Sequence, residues 1–295
     1  MGLATIEVHQ ILCETDPGPL EVKWCLLNFR GQFGTAGTAT GTVSAPLVKS
    51  LKDSSCHQDF FGIYSHANYP SVESLVQENN LLDYYSRRAR EYESIYAKPE
   101  RQAALSKLLA WLTAELREHN ILEVACGTGY WTERIALVAH SILATDASPE
   151  VLNIARLKPY PPNRVEFEHA DAYNLQKIHG NFDAAFLGFW WSHISRVDQA
   201  RFLDVLHRRL SAGGKIVMID NLYVEGSSTP IARHDRNGNS YQIRRLKDGS
   251  THEILKNFPN PGEFDRLLAS STAEITFRTF EYFWGLSYIL REIQG

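Results

Sequence analysis

Apolar residues between positions 121 and 219 fall into short runs separated by segments of helix length. Runs of four or five apolar residues are typical of buried strands, and the segments between them suit crossover helices. The runs cover residues 121–125, 142–145, 165–169, 182–186 and 215–219. Because strands that alternate with helices form βαβ units, the pattern predicts an α/β fold with a doubly wound, mostly parallel sheet.

Two helices are predicted before the first of these strands, and two strands after the last. Residues 84–92 have a helical pattern, and the leucines of residues 100–117 recur at helical spacing. Near the C-terminus, the strand-like runs 273–280 and 282–290 have almost no residues between them. A parallel crossover needs a dozen or more residues, so these two strands must be antiparallel neighbours. We therefore expect a seven-stranded sheet with an antiparallel C-terminal strand.

The regular alternation of strands and helices is interrupted after Asp220. Residues 241–246 and 251–255 are strand-like, and the turn between them contains Gly249. This arrangement predicts a β-hairpin, and we assign residues 223–260 as an insertion in the sheet. A helix is expected to follow at residues 261–269.

The N-terminal residues differ in composition from the rest of the chain. Residues 31–50 consist almost entirely of Gly, Thr, Ala, Ser and Val and show no periodicity. Residues 23–29 form a strand-like run, but the flanking sequence suggests no partner for it. We interpret residues 1–78 as a poorly ordered or atypical extension and residues 79–295 as the folded domain.

Charge and composition narrow the range of partners. The chain has 30 Lys and Arg against 34 Asp and Glu, a formal charge of −4, so it lacks the basic surface that sequence-independent nucleic-acid binding requires. There is no apolar run long enough for a membrane helix and no signal-peptide pattern. The four cysteines form no CxxC pair and no zinc-type spacing. We expect a cytoplasmic protein with no bound metal, no membrane association and no nucleic-acid partner.

The most specific chemical signal lies at residues 121–129, where an apolar strand containing Glu123 leads into a glycine-rich turn and a helix. A side chain at Gly127 or Gly129 would occupy ligand space or block the backbone angles that such a turn needs. The NAD fingerprint requires another glycine three residues after Gly129, where this chain has Thr132. The turn therefore favours a ligand other than NAD.

Asp146 closes the second strand, where a carboxylate can accept hydrogen bonds from both ribose hydroxyls of an adenosine moiety. The alternative role for Asp146 is that of a helix N-cap. Ser148, followed by Pro149 at the first helical position, suits that role better.

The turn and the carboxylates resemble those of class I, Rossmann-like S-adenosylmethionine-dependent methyltransferases of the small-molecule type. The resemblance runs from about residue 83 to residue 290 and implies S-adenosyl-L-methionine as cofactor. In that family Asp171 would accept from the adenine amino group, and Tyr84 or Tyr85 would close over the cofactor. The cofactor-binding residues that the resemblance implies are Tyr84, Glu123, Ala125, Gly127, Gly129, Asp146, Ala147, Asp171, Ala172 and Phe189.

The acceptor should bind near residues 188–193, at the carboxyl end of the fourth strand. Phe189, Trp190 and Trp191 could wall a sulfonium or a planar acceptor, or pack in the core. His193 is the one titratable side chain of this loop and the candidate catalytic base; it could instead bind a helix terminus or lie beside the cofactor. Residues 220–223 and the hairpin should cover this side.

Motifs of other methyltransferase classes are missing from the chain. The family's Asn/Asp-Pro-Pro-aromatic motif, the Pro-Cys nucleophile and the paired glutamates of arginine methylation do not occur after the fourth strand. The sequence therefore predicts an enzyme that transfers a methyl group to an O or N atom of a small molecule. The alternatives are a catalytically silent S-adenosylmethionine-binding protein and, less favoured, an NAD-dependent Rossmann enzyme. The acceptor and the oligomeric state are not specified.

Overall fold

The computed structural model describes six stretches of the chain, which fall into two compact units, Met1–Tyr69 and Pro70–Gly295. The stretches are residues 6–10, 23–29, 39–42, 81, 83–272 and 274–291.

In the first unit, three strands form an antiparallel sheet in the order β1-β2-β3. The strands are β1 (Ile6–Gln10), β2 (Lys23–Phe29) and β3 (Ala39–Thr42). The run at residues 23–29 thus has a partner on each side, one of them within the segment that showed no periodicity. The prediction of an extension over residues 1–78 otherwise falls outside the described residues.

The second unit is built on a seven-stranded sheet. Its strands, together with those of a smaller sheet, are β4 (Asn120–Val124), β5 (Ser141–Asp146), β6 (Val165–His169), β7 (Phe182–Gly188), β8 (Leu210–Asn221), β9 (Ile231–His234), β10 (Ser240–Arg245), β11 (Thr251–Leu255), β12 (Ile275–Phe280) and β13 (Phe283–Ile289). The large sheet has the order β12-β13-β8-β7-β4-β5-β6.

Strand β13 runs antiparallel to both of its neighbours, and the other pairs of the large sheet are parallel. This confirms the predicted α/β fold with an antiparallel C-terminal strand. The reason is the short connection before β13, where Glu281 has a φ of 57° and the chain reverses within two residues.

Helices cover both faces of this sheet. They are α1 (Gln102–Glu115), α2 (Tyr130–Ile135), α3 (Pro149–Ala155), α4 (Gln199–His207) and α5 (Pro261–Leu268). Consecutive strand residues point to opposite faces, so Ile121 packs in the cluster that contains α1 and Leu122 in the cluster that contains α4. The helix predicted at residues 84–92 is α-helical over 83–88 and continues as a 3-10 helix at Ala89–Ala97.

The insertion forms a separate antiparallel sheet in the order β11-β10-β9. Its β10–β11 pair is the predicted hairpin, with Tyr241 opposite Leu255 and Arg245 opposite Thr251. Strand β9 was not predicted, because Ile231 is the only large apolar side chain in its four residues and most of the strand is exposed.

Within the described residues, every helix is too short or too polar to cross a membrane. In the same part of the chain, no cluster of three or more His, Cys, Asp or Glu side chains is arranged to hold a metal ion.

Candidate functional site

The loop between β4 and α2 turns sharply through three left-handed residues. Ala125, Gly127 and Gly129 have φ values of 56°, 57° and 77°. A Cβ at Gly129 would lie 2.5 Å from the Tyr160 hydroxyl and 3.1 Å from the Ala155 Cβ, so the loop passes close to α3. Left-handed backbone is costly for residues with a Cβ. Two of the three left-handed positions, Gly127 and Gly129, avoid this cost because glycine has no Cβ.

Substitutions at the two ends of this loop should have different costs. Gly129→Ala should lower the free energy of unfolding by about 1–2 kcal/mol for the left-handed angle alone, with the close approach of Ala155 adding to it. Ala125→Gly removes a strained alanine but loosens the unfolded chain, so its effect should stay within about 1 kcal/mol. Urea unfolding of both variants measures this; equal destabilisation would contradict the assigned loop strain.

Asp146, the last residue of β5, ties this loop to the next one. Its Oδ2 accepts from the Gly127 N–H at 2.8 Å and its Oδ1 from the Ser148 N–H at 2.9 Å. Burial raises the pKa of Asp146, while these backbone hydrogen bonds oppose the rise. Each carboxylate oxygen keeps a second lone pair, so the half-buried group can accept two further donors.

The N-cap of α3 is Ser148, as the sequence predicted. The Ser148 hydroxyl accepts from the Val151 N–H at 3.5 Å, and Pro149 occupies the first turn of the helix. Asp146 is thereby left to face the glycine-rich loop.

Glu123 lies two residues before the loop and is buried. Its Oε2 has no hydrogen-bond partner among the described residues. Burial raises the pKa of Glu123 to about 8, and Asp146 adds to the rise while Thr132 opposes it. A buried carboxyl group with an open oxygen beside a glycine cradle fits a ligand that brings a positively charged donor.

Asp171 and Ala172 follow β6, at the strand end next to that of Asp146. The two strand ends are joined by the Ala170 N–H, which donates to the Asp146 carbonyl at 3.0 Å. Asp171 is exposed, and its Oδ1 accepts from the Tyr173 N–H at 2.8 Å, whereas Ala172 is buried. Ala147 lies in the neighbouring loop, where its carbonyl is 3.0 Å from the His169 Nε2. The predicted adenosine contacts thus share one edge of the sheet.

Phe189 and Tyr84, both predicted to touch the cofactor, lie in packed surroundings. The ring of Phe189 stacks on Trp131 at 5.8 Å between centroids. The Tyr84 ring lies edge-on to His252 at 5.4 Å, and its hydroxyl is 2.6 Å from the Arg88 Nη1. Both side chains are almost fully buried, so each has a packing role whether or not it reaches a ligand.

His193 lies after β7, in the 3-10 turn Trp191–His193. Its Nδ1 is 2.7 Å from the Leu255 carbonyl, which can only accept, and its Nε2 is 2.8 Å from the Tyr85 hydroxyl. The ring is therefore the neutral Nδ1–H tautomer, and the phenol donates to Nε2. Burial, together with the positive charge of Lys256, lowers the pKa of His193 to about 3.

A buried ion pair lies beside His193. The Lys256 Nζ is 2.7 Å from the Asp220 Oδ1 and 2.5 Å from the Ser192 hydroxyl, and the Asp220 Oδ2 accepts from the Ser192 N–H at 3.0 Å. Burial alone would raise the pKa of Asp220, but the charge of Lys256 and the hydrogen bonds from Lys256 and Ser192 outweigh it and hold the pKa below its ordinary value. The pair links Asp220, near the end of β8, to Lys256 in the insertion. Lys256 was not predicted as part of the site, because a single lysine after an apolar run forms no recognisable motif.

Comparison with known proteins gives a methyltransferase domain model that matches residues 121–214. The demethylmenaquinone methyltransferase of Clavibacter sepedonicus is 30% identical over 136 residues, which are 44% of this chain and 55% of that protein. The malonyl-[acyl-carrier protein] O-methyltransferase 1 of Ilyobacter polytropus is 29% identical over 48% of this chain and 52% of its own length. The chain spans about half the length of these curated relatives.

Solved structures agree on the fold. A complex of DhpI with SAH has a TM-score of 0.58 and 25% identity, covering 73% of this chain and 97% of that one. A 1,6-didemethyltoxoflavin-N1-methyltransferase of Burkholderia thailandensis has a TM-score of 0.50 and 15% identity, covering 77% and 94%. The second likeness is one of fold alone.

Proposed function

We propose that this chain, whose residues 121–214 match a methyltransferase domain, transfers the methyl group of S-adenosylmethionine to an O or N atom of a small molecule. The observation that carries the proposal is the hydrogen bond from the Gly127 N–H to Asp146 at 2.8 Å. It joins the glycine cradle to a carboxylate with open lone pairs, the arrangement that an adenosyl amino acid requires.

Each end of the cofactor has a candidate partner among the described residues. Glu123 would accept from its ammonium group, the backbone of residues 125–129 would lie beneath its amino-acid end, and Asp146 would accept from its ribose hydroxyls. Asp171 would accept from the adenine amino group, with Ala147 and Ala172 beside the adenosine. When bound, S-adenosylmethionine supplies an electrophilic methyl group on a sulfonium. The protein's task is then to align the acceptor with it and to exclude water.

Cofactor binding should release a proton from Glu123. The pKa of about 8 leaves the Glu123 carboxyl mostly protonated at neutral pH. The protonated group's contribution to the stability of the free protein is therefore complete below the ordinary pKa of 4.5 and is lost as the pH rises towards 8. A bound ammonium favours the carboxylate. Titration calorimetry with S-adenosylhomocysteine, in buffers of different ionisation enthalpy, should show release approaching about one proton. Glu123→Gln should abolish the release; an unchanged value would contradict this assignment.

For His193 we propose a positioning role, through Tyr85, in place of the general base that the sequence suggested. A group with a pKa of about 3 is a weak base at neutral pH, and the Nε2 atom already accepts from the Tyr85 hydroxyl. The ring would hold the phenol oxygen in one place on the acceptor side. Methyl transfer from a sulfonium needs no obligatory base when the reactants are aligned.

The nuclear magnetic resonance signals of His193 should therefore remain constant across neutral pH. With ¹⁵N-labelled histidine, its two ring nitrogens should keep the shifts of one neutral tautomer between about pH 5 and 8, because burial opposes protonation. A histidine in a reference peptide, added to the same sample, should titrate at about pH 6.5. Titration of His193 in this range would restore it as the candidate base.

Transfer of label from cofactor to a small molecule tests the proposed function. The protein is incubated with methyl-labelled S-adenosylmethionine and fractionated metabolite extracts, and the expected result is a labelled product of low molecular mass. Tight cofactor binding without product in any fraction would favour the catalytically silent binding protein. Stabilisation by NAD and none by S-adenosylhomocysteine, in a thermal shift assay, would overturn the proposal.

A further inference from the structure

Three buried nitrogen donors around the insertion have no hydrogen-bond partner in the part of the chain that the structure describes. They are the Nε atoms of Arg101 and Arg244 and the indole Nε1 of Trp190. Buried donors in folded proteins are nearly always paired, because an unpaired one loses its hydration without compensation. All three atoms can only donate, so a ligand that satisfies them must supply lone pairs.

Arg244 lies on the face of the insertion sheet that packs on the N-terminal helical segment. It is directly opposite His252 in the β10–β11 pair, and His252 contacts the Tyr84 ring. The next residue on the same face, Gln242, accepts from the Arg244 Nη2 at 2.6 Å. Trp190 packs with the cluster that Tyr84 and Tyr85 form on this face, so Arg244 and Trp190 border the same region as His193.

Arg101 reaches the same region from the start of α1. Its Nη2 donates to the Ser227 hydroxyl at 2.9 Å, and its guanidinium lies over the Tyr282 ring at 5.2 Å. The loop that contains Ser227 also supplies the Thr229 carbonyl, which accepts from the Gln242 Nε2 at 2.5 Å. The two guanidinium groups are therefore linked through one loop.

The two arginines of this region form no ion pair within the described residues. Neither Arg101 nor Arg244 has a carboxylate within ion-pair distance there, and the buried Asp220 is engaged by Lys256. Burial lowers the pKa of Arg101; Glu100 and Tyr282 oppose this effect, and the charge of Arg244 adds to it. Two partly buried like charges that lack an ion-pair partner repel one another, so an anion would remove a cost as well as add hydrogen bonds.

We propose that the methyl acceptor carries an anionic group, a carboxylate or a phosphoryl group, which binds between Arg244 and Arg101 with Trp190 at its edge. The inference rests on the proposed function and specifies the substrate class of the same site. A guanidinium presents planar paired donors that match both kinds of oxyanion, and in each arginine the Nε–H is the donor left open. The anion would anchor the acceptor near Tyr85, leaving a more distant O or N atom to take the methyl group.

Inorganic phosphate and malonate are the probes for this site. Each is titrated by calorimetry into the full chain saturated with S-adenosylhomocysteine, with ionic strength held constant by NaCl. We expect saturable binding of at least one probe, and the stronger probe identifies the phosphoryl or the carboxylate source. Arg244→Gln and Arg101→Gln should each weaken that binding about tenfold or more. The matched control is Arg245→Gln, whose side chain is exposed on the other face of β10 and should bind as the unmodified protein does.

Absence of saturable binding for both probes, or an equal loss in the Arg245→Gln control, would overturn the proposal. The affinity for S-adenosylhomocysteine, measured on the same samples, should not change in any variant. A protein that binds the anion but not S-adenosylhomocysteine would contradict the proposed function and leave the anion site standing. If a glutamine variant does not fold, Arg244→Lys is used in its place. Lysine keeps the positive charge but lacks the planar pair of donors, so we expect an intermediate affinity for the anion. Full affinity in this variant would overturn the assignment.

Discussion

Replacing Asp146 by alanine should weaken the binding of S-adenosylhomocysteine by about a hundredfold or more. The substitution removes two charge-assisted backbone hydrogen bonds, at 2.8 Å and 2.9 Å, together with the acceptor proposed for the ribose hydroxyls. Each hydrogen bond to a charged group contributes about 1.5–3 kcal/mol, and about 1.4 kcal/mol corresponds to a factor of ten in affinity. Titration calorimetry measures the loss.

Asp183→Ala is the matched control for this experiment. Asp183 also accepts from a backbone N–H, that of Asn120 at 2.8 Å, but it lies at the opposite end of the sheet, near the start of β7. The Asp183→Ala variant should be less stable than the unmodified protein but should bind S-adenosylhomocysteine with the same affinity. The loss of affinity in Asp171→Ala should lie between these two, at about tenfold. The Asp171 carboxylate is exposed, and the substitution removes one proposed hydrogen bond to the adenine. Equal affinities for the Asp146 and Asp183 variants would remove the ribose assignment.

Replacing Lys256 by methionine should lower the free energy of unfolding by about 3–5 kcal/mol. The variant leaves the Asp220 carboxylate buried and without its counter-charge, and breaking a buried pair costs this much. The control is Arg208→Met, which breaks the exposed pair with Asp204 and should cost less than about 1 kcal/mol. Urea unfolding midpoints give both values, and similar midpoints would contradict the role of the buried pair.

The pH dependence of stability should change in the same variant. In the native protein the pKa of Asp220 is below its ordinary value. Ionised Asp220 therefore stabilises the fold fully above the pKa of the unfolded chain, about 3.9, and this stabilisation is lost as the pH falls through the lower pKa of the folded state. Without Lys256, the burial of Asp220 should raise its pKa. The Lys256→Met variant should then recover part of its lost stability as the pH is lowered. In the unmodified protein, by contrast, the contribution of Asp220 to stability is lost as the pH is lowered.

Patterns within short stretches of sequence were enough to predict the large sheet. Alternating runs predicted five parallel strands, and the short connection at Glu281 predicted the antiparallel one, because both depend on local length and periodicity. The extra strand β9 and the change to a 3-10 helix at Ala89–Ala97 carry no such periodicity and depend on tertiary packing. The same holds for the packing of Phe189 and Tyr84.

By itself, the sequence determined the glycine-rich loop and the carboxylate at Asp146, because both lie where a strand ends and their geometry is local. Only the tertiary structure decided what surrounds the acceptor side. Tyr85 and His193 are 108 residues apart and Asp220 and Lys256 are 36 apart, yet each pair meets at hydrogen-bonding distance. Burial then moves the pKa of His193 from 6.5 to about 3, and burial is a property of the whole fold that no short stretch of sequence carries.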